Sequence, residues 1–93
     1  MKNETVAPNR IHDLATLELR LAQVRDELRL KMHLARKDAR DQWDPVEEKW
    51  RHFQARAGDL REASADAAED VWTGLKALGR EIGEGYEKIR RAI

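Results

Sequence analysis

Small or apolar residues recur every three or four positions along most of this chain. The series begins Leu14, Leu17, Leu21, Val24, Leu28, Met32 and continues Ala35, Ala39, Trp43, Val46, Trp50, Phe53, Ala57, Leu60. It then passes through Ser64, Ala67 and Val71 to Leu75, Leu78, Ile82, Tyr86, Ile89 and Ile93. One apolar side chain per helical turn, with charge on most intervening positions, is the signature of an amphipathic α-helix. No alternating β-branched run competes with it, so strands are not expected. Seven- and eleven-residue spacings alternate along the series, which predicts nearly straight, weakly supercoiled helices.

A stripe of this length cannot be hidden by a lone helix. The expected fold is all-α: an elongated antiparallel helical hairpin or coiled coil that assembles into a helical bundle. Residues 1–8 read as a disordered tail, and Asn9 as a helix cap. Residues 9–93 then form a single helical domain. Asp44-Pro45 is the strongest punctuation, because a residue before proline is pushed out of helical geometry. Proline also suits the first position of a new helix, and Asp44 with Glu47 fits a capping box. The pattern therefore predicts helices over 9–43 and 45–92, joined by a turn at 44–45. The stripe keeps its phase across Pro45, which supports a kink in a continuous helix instead. Gly58-Asp59 offers an alternative turn, with Gly58 ending one helix and Asp59 and Glu62 capping the next.

Charge changes this picture modestly. The 93 residues carry 18 Lys/Arg and 18 Asp/Glu, for zero net charge. Residues 20–40 hold seven Lys/Arg against three Asp/Glu, and residues 44–70 hold four against eight. Two blocks of opposite sign and equal size fit mutual neutralisation between packed helices. They do not give the net basic surface of a nucleic-acid binder, so no nucleic-acid partner is expected. An anionic membrane surface is a further candidate for the basic block. Cysteine is absent, which removes disulfides and thiolate metal sites. No segment reads as a signal peptide or a bilayer span, and a cytoplasmic location is expected.

Candidate chemistry is sparse. Ser64 is the sole serine and has no histidine at helical spacing, so nucleophilic catalysis has no footing. No catalytic residue, cofactor or metal ligand is predicted, and the chain does not read as an enzyme. Glu48 with His52, and Asp66 with Asp70, have i, i+4 spacing, but a metal site would need a partner helix to complete it. These pairs read as solvated helix faces.

Association is the better-supported function. Leu19, Leu30 and Leu34 fall on the face opposite the stripe and would form a second contact surface. Trp43, Trp50 and Phe53 form an aromatic run along the stripe, with Met32 at the same angle. Together with Leu28 and Trp72, they are the expected oligomer or partner interface. In the last segment, Gly79-x-x-x-Gly83 beside Trp72 presents a flat surface for close helix approach. A structural or protein-interaction module follows, with a second copy or a helical segment of another protein as partner. The alternative is a peripheral, amphipathic lipid-surface protein. A bundle that binds a metal or a small ligand ranks third.

The segment from Leu60 to Trp72, rich in alanine and acid, followed by Gly74-Leu75-Lys76, resembles small bacterial coiled-coil proteins of unknown function. That resemblance implies a helical, oligomer-forming protein and supplies no activity. Pro45 and the late glycines depart from the pattern of those proteins.

Overall fold

A computed structural model describes the backbone of residues 3–93 and the side-chain surroundings from residue 10 onward. The architecture is all-α. Helix α1 spans Asn3–Lys31, a single 3-10 turn spans Met32–Leu34, α2 spans Lys37–Glu62, and α3 spans Ala65–Ala92. The three helices run up, down and up. Arg10–Glu69 and Glu27–Arg90 join α1 to α3 in parallel register. Glu18–Arg61 and Arg25–Glu47 join α1 to α2 in antiparallel register, as Lys49–Glu81 does for α2 and α3. The result is a rod of 53 × 17 × 16 Å.

The helical bundle expected from the stripe is present, but its turns lie elsewhere. Helix α2 runs through Asp44-Pro45 and through Gly58-Asp59 without interruption. The chain instead reverses at Ala35-Arg36 and at Ala63-Ser64, where consecutive residues take extended geometry, with ψ between 148° and 166°. Neither reversal uses glycine, proline or a positive φ. At the second, the Ser64 hydroxyl accepts a hydrogen bond from the Ala67 N–H at 3.3 Å and caps α3. At the first, Arg36 supplies no side-chain cap, and the Ala35 N–H closes the 3-10 turn onto the Met32 carbonyl. The tail expected over residues 1–8 includes Met1 and Lys2, which lie outside the described residues. From Asn3 onward the backbone is helical, so Asn9 does not start α1.

With three helices, the stripe closes on itself. Leu14, Leu28, Phe53, Leu75, Ile82 and Ile89 are the largest fully buried side chains. Leu21, Val46, Trp50, Ala57, Leu60, Ala68, Trp72 and Tyr86 complete the core. Early in α3 the buried face is set by Ala68 and Trp72, with Val71 only partly covered. That face is one residue on from the Ala67 and Val71 of the sequence pattern. No charged group is buried among the described residues.

The glycines of α3 differ in what surrounds them. A Cβ on Gly79 would lie 3.1 Å from the mobile tip of Leu17, and one on Gly83 would meet nothing within 4 Å. Gly85 is the tight contact, because a Cβ there would sit 2.6 Å from a Val46 methyl. The close approach expected from Gly79-x-x-x-Gly83 is thus supplied by Gly79 and Gly85. Gly83→Ala should raise stability by about 0.5–1 kcal/mol, the ordinary helix gain over glycine. Gly85→Ala should lower it by about 1 kcal/mol or more, since β-branched Val46 cannot swing away cheaply. Urea melts of the two variants check the contrast; equal shifts of the same sign would refute the α2–α3 contact at Gly85.

Candidate functional site

The nine residues expected to form an interface divide into two sets. Leu28 and Phe53 have no exposed surface, and Trp50 and Trp72 retain 6% and 7%. Met32 and Trp43 are partly buried against the same core. The four buried side chains therefore pack inside the chain's own bundle, and Met32 and Trp43 lie against it with part of their surface exposed. The reason is the third helix: two helices would leave the stripe half-covered, whereas α3 covers both α1 and α2. The aromatic run does not form one patch. Trp50 stacks on Phe53 at 5.7 Å between ring centroids, while Trp43 stacks on Tyr86 at 6.3 Å. Trp72 lies on the early part of α3, about 20 Å along the helix from Tyr86 by helical rise, with the cations of Arg10 and Lys76 at 5.7 and 5.9 Å from its ring centroid.

Leu19, Leu30 and Leu34 form the second set, and they are exposed at 60%, 76% and 94%. Leu30 is in the last turn of α1 and Leu34 ends the 3-10 turn. The Glu27–Arg90 ion pair brings the end of α3 alongside the end of α1. Ile93, half-exposed, therefore lies at the same end of the rod as Leu30 and Leu34. A cavity of about 520 Å³ opens at Leu30, lined also by Asp26, Arg29, Met32 and His33. Ile93 joins the set only through the parallel register of α1 and α3, which a two-helix reading could not foresee.

Elsewhere, polar groups hold the rod together. Arg25 donates two hydrogen bonds to Glu47, at 2.7 and 2.8 Å, and lies 5.6 Å from the Trp50 ring centroid. The hydrogen bonds from Arg25 to Glu47 raise the guanidinium pKa further. The Tyr86 hydroxyl is buried without a hydrogen-bond partner. Burial, with Glu47 adding to it, pushes its pKa well above the ordinary phenol value, so the ring stays neutral. Arg10, hydrogen-bonded to Glu69, lowers the pKa of that carboxyl. Glu48 and His52 are both exposed, and Glu48 accepts a hydrogen bond from Arg51 at 2.6 Å. Asp66 and Asp70 also face solvent. Among the described residues, no three His, Asp or Glu side chains converge as metal ligands, and no helix is long and apolar enough to cross a membrane.

The concentration of exposed apolar side chains at one end of the rod is the most distinctive surface feature. Scattered surface leucines are ordinary. Leu30, Leu34 and Ile93 share one end of the rod, Leu30 lines an open cavity there, and the bundle's own core leaves all three uncovered. Among protein-family models, curated proteins and solved structures, none matches this chain.

Proposed function

We propose that this protein is a structural or protein-interaction module that acts through helix–helix association. Its partner is a second copy of itself or a helical segment of another protein, and its setting is the cytoplasm. The supporting observation is the exposure of Leu30 and Leu34 at the α1–α2 corner, after the folded chain has covered its own stripe. Apolar groups left out of a finished core cost nothing to fold stability when replaced. They are therefore the surface on which association can be tuned separately from folding. Leu19, farther up the outer face of α1, extends this surface.

Size-exclusion chromatography with light scattering tests the reading. The expected result is a species larger than a monomer, growing with concentration in the micromolar range. Leu30→Lys with Leu34→Lys should return it to monomer while leaving its helical content by circular dichroism unchanged. A wild-type chain that stays monomeric at every concentration would overturn self-association. The alternative, a lipid-surface protein, is favoured by the cations flanking the same leucines: Arg29, Lys31, Arg36 and Lys37. Exposed leucines among basic residues fit an anionic interface. Failure to float with anionic vesicles at low salt would remove that alternative.

A further inference from the structure

We infer that the groove between α1 and α3 binds a small anionic amphiphile, of the class of medium-chain carboxylates. This inference concerns a different surface from the leucine end and does not depend on the association reading.

The groove is open to solvent, with a volume of about 490 Å³, along the middle of α1. Its floor is apolar: Leu17 from α1, and Trp72 and Gly79 from α3. Gly79 matters here because a side chain at that position would press on Leu17 and fill the floor. The rim carries three cations, Arg20, Lys76 and Arg80, with His12 and Thr16 beside them, all exposed. One carboxylate, Asp13, also lines the cavity, and it is already held by Arg10 at 2.9 Å.

Two features narrow the ligand. The first is the ion-pair pattern along the α1–α3 seam. Arg10–Glu69 ties the helices at one end and Glu27–Arg90 at the other. Between these straps, among the described residues, no ion pair spans α1 and α3, and none of Arg20, Lys76 and Arg80 has a carboxylate within 4.0 Å. Three like charges around one opening repel each other, and a bound anion would relieve that repulsion. The second is length. From Asp13 to Arg20 the groove runs about 10 Å by helical rise, and a strap lies beyond each end. That span suits one short aliphatic tail on the Leu17–Trp72 floor. A docking helix would need an apolar stripe several turns longer.

Calorimetric titration of the full chain with decanoate, kept below its micelle concentration, tests the inference. Saturable one-to-one binding is expected. Acetate, which lacks the tail, decanol, which lacks the charge, and decyltrimethylammonium, which reverses it, should each bind at least about tenfold more weakly. Lys76→Glu with Arg80→Glu should weaken decanoate at least about tenfold with circular dichroism preserved, because both residues are exposed and neither makes an ion pair among the described residues; the exposed contact of Lys76 with the Trp72 ring contributes only weakly to stability. Equal affinity for decanoate and decyltrimethylammonium would overturn the inference. So would undiminished binding to the charge-reversed variant, or uptake of many molecules per chain. Binding to anionic vesicles without binding to monomeric decanoate would also overturn it, placing the anion preference at a membrane surface instead.

Discussion

Leu28→Asp should destabilise the chain by at least about 4 kcal/mol. Leu28 has no exposed surface and lies in the contiguous core with Leu21 and Ile89. Removing a buried leucine side chain costs about 2–5 kcal/mol through lost transfer energy and the cavity left behind. The new carboxylate would add the penalty of an unpaired charge in an apolar site. The sum, at least about 4 kcal/mol, approaches the whole stability of a small domain, about 5–15 kcal/mol. A domain of this size shifts by about 4–8 °C per kcal/mol, so the melting midpoint should fall by about 20 °C or more. Leu30→Asp, two residues on and exposed on the opposite face, should change stability by no more than about 0.5 kcal/mol. Thermal melts of both variants, followed by circular dichroism, decide the matter. If Leu28 instead lined a seam between copies, the midpoint of the Leu30→Lys, Leu34→Lys variant would still rise with protein concentration. The three-helix core requires the midpoint of that variant, which lacks the exposed leucines, to stay fixed.

That contrast shows which parts of the fold could be read from the residues. The periodic stripe named most of the core correctly, because burial in helices imposes a 3.6-residue period whatever the helices pack against. For the same reason it could not count helices: a period says which face is hidden and is silent on what hides it. The turns were harder still. Asp44-Pro45 and Gly58-Asp59 carry strong local signals, yet both lie inside α2. The actual reversals, at Ala35-Arg36 and Ala63-Ser64, use ordinary residues in extended geometry. The one local clue was Ser64, a good N-cap residue. It was hidden because it also falls on the apolar period, where it reads as a small core position. Of the expected interface, Leu19, Leu30 and Leu34 were separable from the stripe by helical angle alone. The α1–α3 groove was not, since it needs the register that sets Leu17 against Gly79.

Pro45→Ala tests the placement of the first turn by the sign of its effect. Pro45 sits inside α2, eight residues past Lys37. It has no N–H to donate to the Asp41 carbonyl, and its ring crowds that carbonyl. Proline in a helix interior costs about 3 kcal/mol relative to alanine. Pro45 and Asp41 are both exposed, so water can take the freed carbonyl, which explains how the helix tolerates the break in its ladder. Proline also stiffens the unfolded chain, and losing that restraint costs the variant about 0.4–1 kcal/mol. Alanine should therefore stabilise the protein by about 2 kcal/mol, raising the midpoint by about 8 °C or more on the same scale. A hairpin turning at Asp44-Pro45 demands the reverse. There, proline would occupy the first position of a helix, where its missing N–H costs nothing and its fixed φ is already helical. Replacing it would then only loosen the unfolded chain, and the midpoint would fall. An increase places Pro45 within a continuous α2; a decrease would move the turn back to residue 44 and remove the three-helix core.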